Sequence, residues 1–387
     1  MRTLAVVACS AALIEVASAT EAFAIQLSPS ASRAADSISV SAFGITDVDQ
    51  LAIAAGRYLW VSGPRQVIAV IDVLTGSGAQ IGRAGSGPGE YRMVSHVFGC
   101  ESSGGWVDDQ LQRVTWLEPA GKGEPRSIQL PSGLLARAKT QGAWCEGDSL
   151  WIAVERQGAP ASGTRVDSLD VFRVVRSTLG VDTVARFQGS MRRLNSKGAL
   201  RTSLRLPYLS PPVLVRKAGQ MIVIGRSADS VWTLGTQPRR SAPIVGDRPS
   251  RPLASRHLPV VRDSIAKWYE AEMESQRYEP ELRREFRTLI AELLAELELP
   301  RTLPVVRLAT AGPIGTGELI VAENDYPGSH QTCISTLALN GLLKRRLCRT
   351  WPDRTVGAIQ ASADGLWLAQ WNDDGAWVLR IRVSPSL

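Results

Sequence analysis

Short apolar segments that follow small polar turns recur along the chain and suggest its architecture. Their central residues, called marker residues below, are 46, 45, 71, 98 and 47 positions apart. Three of these intervals match the length of one four-stranded blade, and each segment is followed by a turn and a second apolar strand. The pattern predicts an all-β, six-bladed β-propeller, whereas regular spacing does not favour the alternatives of a β-sandwich or two unrelated β domains. The six segments are Leu59-Trp60-Val61, Gly105-Trp106-Val107, Leu150-Trp151-Ile152, Met221-Ile222-Val223, Leu319-Ile320-Val321 and Leu366-Trp367-Leu368.

Two of the intervals are longer than one blade. The interval of 71 residues contains a connection from Gln188 to Pro212, which we expect to be a surface loop. The interval of 98 residues contains a helical insertion, residues 262–301, between the fourth and fifth blades. Its second half carries leucines at helical spacing between Pro280 and Pro300, and a shorter helix is expected over Ile265 to Met273. The apolar stripe is interpreted as packing surface, with a lid or a partner-binding face as the alternative.

The stretch from Ile81 to Tyr91 is rich in glycine and contains one proline. Such a segment is neither a helix nor a regular strand, and it is typical of a compact bend. A phosphate-binding loop is the alternative, but that pattern ends in Gly-Lys-Ser/Thr, whereas this one ends in Gly89-Glu90-Tyr91. A turn between strands is therefore the favoured interpretation.

The residues after this turn suggest a family. Gly105-Trp-Val-Asp108 and then Arg113-Val114 follow the glycine-rich turn. This order resembles the linker and blade pattern of NHL-type β-propellers, and the Gly-Pro-Gly-Glu-aromatic form resembles that of secreted bacterial six-bladed propeller proteins. The family usually has a proline soon after the aromatic residue, whereas Met93 and Val94 stand near that place here. The resemblance implies the same six-bladed fold.

The N-terminus has the pattern of a secretory signal peptide. One positive charge and a short apolar run from Leu4 to Ile14 precede small residues, with cleavage expected after Ala19 or Ala24. We therefore expect residues 1–24 to be a signal peptide and residues 25–387 to form the propeller. The mature chain is expected to be secreted or periplasmic, with no transmembrane segment.

Four cysteines remain after removal of the signal peptide, and export to an oxidising compartment favours their pairing. Cys100 and Cys145 each lie six residues before a marker tryptophan, so they occupy equivalent places in adjacent blades. Cys333 and Cys348 flank Asn340-Gly341, a preferred two-residue hairpin turn, at equal distances. Disulfides 100–145 and 333–348 are predicted, and four free thiols are the alternative.

Sequence motifs for catalysis are sparse. The chain has 3 histidines, none of them in a metal-binding spacing, and it lacks a Gly-x-Ser-x-Gly nucleophile motif. We therefore expect a non-catalytic protein without a cofactor. Acidic loops after the marker strands give an alternative, in which Ca²⁺ at the axis serves a lactonase-like hydrolase or a lyase. The residues for that site would be Asp108, Glu323, Asp325 and Asp373. Since Asp and Asn are also common turn residues, the turn interpretation is favoured.

The net charge of +7 is unevenly distributed. Residues 186–256 contain 14 Lys or Arg and 2 acids, whereas the predicted insertion carries 10 acids and 7 bases. Arginine suits carboxylate and phosphate, so a site for an anionic envelope component or an acidic protein is predicted at Arg192, Arg193, Arg239 and Arg240. The alternative is that these arginines are solvated or pair with the acidic insertion. Export argues against nucleic acid, and the function expected is an exported binding module for a ligand or protein partner.

Overall fold

Six antiparallel sheets follow one another along the chain in the computed structural model. The structure describes residues 37–381 except 64–65, 137, 162, 179, 198–199, 207–210, 226–229, 235–240, 247–250, 276–278, 301, 305, 313–317, 324–330, 351–354, 363–364 and 373–374. The predicted signal peptide lies outside these residues. Each sheet has at least four strands, and each marker residue lies on the second strand of its sheet. The predicted six-bladed β-propeller is confirmed.

Within each blade, the strands are ordered from the axis outwards, so the first strand is the inner one. The first strand described is β1 (Ser37–Ser39). Blades 1 and 2, with the two short strands between them, consist of β2 (Gln50–Ala54), β3 (Tyr58–Gly63), β4 (Val67–Asp72), β5 (Gly78–Ile81), β6 (Arg83–Ala84), β7 (Glu90–Tyr91), β8 (Val94–Gly99), β9 (Gly104–Asp108), β10 (Arg113–Leu117) and β11 (Arg126–Gln129). Blade 3 consists of β12 (Ala138–Glu146), β13 (Ser149–Arg156), β14 (Pro160–Ala161), β15 (Thr164–Val175), β16 (Val181–Lys197) and β17 (Leu200–Arg205).

The second half of the ring contains the insertion. Blade 4 consists of β18 (Val213–Lys217), β19 (Gln220–Ile224), β20 (Ser230–Thr233) and β21 (Ser241–Pro243), followed by the short strands β22 (Val245–Gly246), β23 (Arg251–Pro252) and β24 (Thr302–Leu303). Blades 5 and 6 consist of β25 (Val306–Ala311), β26 (Glu318–Glu323), β27 (Gln331–Ala338), β28 (Leu342–Thr350), β29 (Thr355–Ser362), β30 (Gly365–Asn372) and β31 (Gly375–Ile381). Strand β22 adds to the outer edge of blade 5, and β23 pairs with β24 beside the insertion.

The hydrophobic core lies in the seams between blades. Successive side chains of a strand point to opposite faces, so each blade contributes to two seams. On the second strand of blade 1, Leu59 and Val61 face blade 6, whereas Trp60 faces blade 2. Every pair of neighbouring blades shares a buried apolar cluster of this kind. The ring is therefore closed by packing around its whole circumference.

The ring is also closed by backbone pairing. Strand β1 pairs antiparallel with β31 and becomes the outer strand of blade 6. Ile38 and Val40 are buried in the seam between blades 6 and 1, whereas Ser37 and Ser39 are exposed. The first and last strands that the structure describes thus belong to the same blade.

The connection from Gln188 to Pro212 is not a loop over most of its length. Strand β16 continues to Lys197, and β17 pairs with its far end. The polar sequence is compatible with a strand because opposite charges stand on neighbouring strands of this hairpin. Within the connection, Arg192 bonds the carboxylate of Asp167 on β15 through Nε at 2.9 Å. The expectation of a surface loop was therefore wrong for residues 188–197 and 200–205.

The helical insertion consists of α1 (Leu258–Ser275) and α2 (Pro280–Ala295). It begins four residues before the predicted position, and α1 is longer than the helix expected over residues 265–273. The apolar stripe of α2 is buried against Leu204 of β17 and against α1, with Leu293 and Leu294 at the centre of this contact. The stripe is packing surface, as favoured from the sequence, and it rests on the extended hairpin of blade 3.

The glycine-rich stretch Ile81–Tyr91 connects the outer strand of blade 1 to the inner strand of blade 2. The Glu90 carboxylate accepts a hydrogen bond from the Gly87 N–H at 2.7 Å, which folds the loop onto itself. Tyr91 is buried and packs edge-to-face on Trp106, with ring centroids 6.0 Å apart. The interpretation as a turn between strands is confirmed, since Glu90 itself takes a donor that a phosphate would need.

Candidate functional site

Two cavities lie on the axis of the ring, lined by the inner strands of the blades. The larger, of about 860 Å³, opens where the inner strands begin and is called the wide mouth. The smaller, of about 460 Å³, opens at the turns after the inner strands and is called the narrow mouth. Four residues line both cavities: Leu51, His96, Trp144 and Gln360. The two mouths therefore meet at the level of these side chains.

Shifts in strand register shape the wide mouth. Four of the inner strands skip one residue in their pairing with the second strand, between Val94/His96, Thr140/Gly142, Val306/Leu308 and Val356/Ala358. A bulge of this kind re-aims side chains and is common next to binding sites. The extra residues in blades 2, 3 and 5 are Ser95, Gln141 and Arg307, and all three line the wide mouth.

Many of the polar groups around the wide mouth hold neighbouring blades together. Gln50 of blade 1 donates to the Ser95 carbonyl oxygen and accepts from the Val97 N–H at 2.7 Å. Asp109 of blade 2 accepts from the Thr140 N–H at 3.0 Å and from the Thr140 hydroxyl at 2.7 Å in blade 3. These groups are fixed by structural bonds, so they are poorly placed to bind a ligand.

The charged residues at the wide mouth are differently placed. Asp49 of blade 1, Lys139 of blade 3 and Arg307 of blade 5 all line this cavity. Burial raises the pKa of Asp49, Lys139 opposes the shift, and Asp47 reinforces it. Among the residues that the structure describes, neither Asp49 nor Lys139 makes a side-chain hydrogen bond or an ion pair. Both side chains are exposed at the rim of the cavity.

His96 lies where the two cavities meet. The side chain is half-buried, and its removal from water lowers its pKa to about 4. The imidazole is consequently neutral at pH 7 and adds no charge to the channel, the name used below for the two connected cavities. The apolar side chains Leu51 and Trp144 complete this level.

The structure describes two of the four arginines predicted to bind an anion. Arg192 bonds the buried carboxylate of Asp167 through Nε at 2.9 Å. Arg193 forms an ion pair with Glu296 just after α2, with Nη1 and Oε2 at 3.3 Å. Both lie on β16, away from the channel, whereas Arg239 and Arg240 lie outside the described residues. Arg192 and Arg193 already have carboxylate partners, as the alternative interpretation expects for Arg193.

The two residues proposed for Ca²⁺ that the structure describes, Asp108 and Glu323, lie in different blades. The Asp108 carboxylate accepts from the N–H groups of Arg92 and Leu111 at 2.7 and 2.8 Å, which makes it a turn residue of blade 2. Glu323 is buried in blade 5 and accepts a hydrogen bond from the Ser335 hydroxyl. Within the described part of the chain, no three His, Cys, Asp or Glu side chains form a group that could hold a metal ion. Asp325 and Asp373 lie outside that part.

Both predicted disulfides are confirmed. Cys100 and Cys145 link the inner strands of blades 2 and 3 beside the narrow mouth, with Cα atoms 5.2 Å apart. Cys333 and Cys348 are directly opposite each other on β27 and β28, with Cα atoms 4.0 Å apart. Within the part of the chain that is described, no helix is long and apolar enough to cross a membrane.

The channel residues were missed from the sequence, although a positional signal was present. Gln50, Ser95 and Gln141 stand ten or eleven residues before the marker tryptophan of their blades. In a propeller that distance leads back to the start of the inner strand and so to the axis. The acidic residues chosen from the sequence, such as Asp108 and Glu323, lie on second strands and not on inner strands.

Known proteins give the fold only limited context. No protein-family model and no curated protein sequence matches this chain. A DUF4221 family member from Bacteroides vulgatus is similar in structure, with 9% identity, a TM-score of 0.48, and 89% of this chain and 94% of that chain covered. An exported protein from Bacteroides fragilis shares 12% identity and a TM-score of 0.45 over 88% and 91% of the two chains. A mitotic checkpoint complex structure is similar at 11% identity and a TM-score of 0.45, with 99% of both chains covered.

Proposed function

We propose that the protein is an exported, non-catalytic propeller that binds a small ligand in the wide mouth of its channel. The observation that carries the proposal is the cavity of about 860 Å³, into which register shifts in the inner strands turn polar and charged side chains. Ligand pockets commonly measure about 300–1,000 Å³ and combine apolar walls with a few polar groups. The wide mouth has this composition, with Leu214 and Ile359 beside Lys139.

Two further observations support the proposal. The disulfides suit an oxidising compartment outside the cytoplasm. At the wide mouth, Lys139 is an exposed cation that makes no side-chain hydrogen bond or ion pair among the described residues. An anionic group on the ligand is therefore favoured, as the basic composition suggested, but it is bound on the axis rather than at Arg192 and Arg193.

A channel-blocking variant tests the proposal. Gln360 lines both cavities and lies outside the apolar clusters of the seams, so Gln360→Trp should fill the channel without disturbing the core. Gln220→Trp is the matched control, because Gln220 is exposed and lines neither cavity. Each purified protein is incubated with a small-molecule extract of cell envelopes, washed and denatured, and the released compounds are identified by mass spectrometry.

We expect wild type and Gln220→Trp to retain the same compounds and Gln360→Trp to lose them, with all three melting at similar temperatures. Equal retention by the Gln360→Trp protein would contradict a site in the channel. Absence of any retained compound from all three proteins would remove the proposal as well.

A further inference from the structure

The two opposite charges of the wide mouth lie on different sides of the cavity. Asp49 comes just before the inner strand of blade 1, and Lys139 is on the inner strand of blade 3. The inner strand of blade 2 stands between them, because the inner strands of blades 1, 2 and 3 contact one another in that order. The two residues thus lie at inner strands between which one other inner strand lies.

This separation leaves both charges without a protein partner. Lys139 is near enough to influence Asp49 electrostatically, yet within the described part of the chain the two groups do not form an ion pair. A pair of opposite charges that served only stability would gain by closing to contact, since the Coulomb energy grows as the distance falls. Held apart across an open cavity, the two groups can instead meet the two ends of one ligand.

The surroundings extend the same polarity. Asp47 adds to the negative potential at Asp49. Deeper in the cavity, Trp144 and Leu51 provide an apolar floor, and His96 is neutral at pH 7. The site therefore offers an acidic edge, a basic edge and an apolar interior.

We infer that the ligand of the wide mouth is a zwitterion with an apolar body, whose acid group meets Lys139 and whose ammonium group meets Asp49. Short peptides with free termini and amino-acid derivatives belong to this chemical class. The inference rests on the proposed function, because it assigns the ligand of that same cavity.

Leucyl-leucine and two matched derivatives serve as probes. Leucyl-leucine carries both charges, N-acetyl-leucyl-leucine only the acid, and leucyl-leucine amide only the ammonium group. Binding of each probe to the full mature protein is measured by isothermal titration calorimetry at pH 7. We expect wild type to bind the zwitterion about fivefold more tightly than either derivative, the size of effect that partly exposed charge contacts give.

Two substitutions assign the ends of the ligand. In the Lys139→Gln protein, leucyl-leucine should bind no more tightly than leucyl-leucine amide, which lacks the acid group. In the Asp49→Asn protein, leucyl-leucine should bind no more tightly than N-acetyl-leucyl-leucine, which lacks the ammonium group. Lys122→Gln and Asp263→Asn are the controls, because both residues are exposed and line neither cavity. Neither control should change the order of the three affinities.

The outcomes separate this inference from the proposed function. If the acetylated probe binds as well as leucyl-leucine, or Asp49→Asn leaves the preference intact, the ligand is a simple anion and the inference is overturned. If no probe binds although the Gln360→Trp protein has lost compounds that wild type retains, the inference again fails while the channel site stands. If that variant also retains every compound, both fail.

Discussion

The carboxylate of Asp109 joins blades 2 and 3 at the wide mouth through hydrogen bonds from Thr140. It is buried and accepts hydrogen bonds from the Ser95 hydroxyl at 2.6 Å and from two groups of Thr140. Burial raises the pKa of Asp109, while the hydrogen bonds from Ser95 and Thr140 act against that shift. Folding therefore favours the protonated acid, in contrast to an exposed carboxylate held by donors.

This difference gives a pH-dependent prediction. Because the folded-state pKa of Asp109 lies above 3.8, its stabilising contribution is complete below pH 3.8 and is lost as the pH rises through the folded-state value. The free energy of unfolding of wild type should therefore fall relative to that of Asp109→Asn as the pH rises from about 3 to about 7. Urea titrations of both proteins at several pH values measure this difference in the free energy of unfolding.

Asp148 provides a control of opposite sign. Hydrogen bonds from Ser177 lower the pKa of Asp148, so its contribution is present above 3.8 and is lost as the pH falls through the folded-state value. The stability of wild type relative to Asp148→Asn should thus increase with pH. If the free energy of unfolding of wild type relative to the variant changes with pH in the same direction for both substitutions, Asp109 does not titrate as described.

In the hairpin of β27 and β28, the sequence rule predicted the correct cysteine pair although the turn is not the one that the rule assumes. A two-residue turn at Asn340-Gly341 predicts that Cys333 faces Cys348. In the structure β27 ends at Ala338 and β28 begins at Leu342, so the turn is one residue longer and Leu337 pairs with Leu343. A register shift of one residue beyond Ile334 compensates and brings the two cysteines together. Turn residues alone do not indicate such a bulge.

The two disulfides should differ in their contribution to stability. They close loops with separations of 45 residues for Cys100–Cys145 and 15 residues for Cys333–Cys348. Constraint of the unfolded chain alone gives about 4 and about 3 kcal/mol, respectively. Replacing each pair by alanines should lower the free energy of unfolding in that order, as measured by urea denaturation. A larger loss for the shorter loop would contradict this account.

The linker between blades 1 and 2 gives a prediction about close packing. Gly89 has a φ of +72°, and a Cβ there would lie 2.8 Å from Cγ of Pro125. Gly76, in the turn after β4, has a φ of +71° with nothing within 4 Å of an added Cβ. Gly76→Ala should cost about 1 kcal/mol for its backbone conformation, and Gly89→Ala about 2–3 kcal/mol because packing strain is added. Equal losses in thermal unfolding would show that the linker yields to the added methyl group.

At the scale of the whole molecule, repeat spacing was a better guide than charge counting. The intervals between markers predicted the number of blades because each blade repeats the same alternation of buried side chains. The excess charge of residues 186–256 predicted an anion site that includes Arg192 and Arg193, but it did not indicate the carboxylate partners that these two arginines have in the structure. Asp167 lies on the preceding strand, and Glu296 lies more than a hundred residues away. Such long-range pairing is invisible in a local count.

Ring closure by β1 can be tested by substitutions that alternate along the strand. Ile38 and Val40 point into the seam between blades 6 and 1, so Ile38→Asp with Val40→Asp buries two unpaired charges and should cost more than about 4 kcal/mol. Ser37→Asp with Ser39→Asp places the same charges on the exposed face and should be nearly neutral. Thermal unfolding compares the two double variants, and similar melting temperatures would show that β1 is dispensable.

The pairing of β1 with β31 also affects the order in which the molecule can be assembled. Strand β1 precedes every other described strand in the chain, whereas its partner β31 follows all of them. Until β31 emerges from the ribosome, the nascent ring has two unpaired sheet edges, which are templates for aggregation. Such long-range contacts also slow folding. We therefore expect a requirement for protection of the unfolded chain, and any product that stops before β31 should be cleared by proteolysis rather than accumulate.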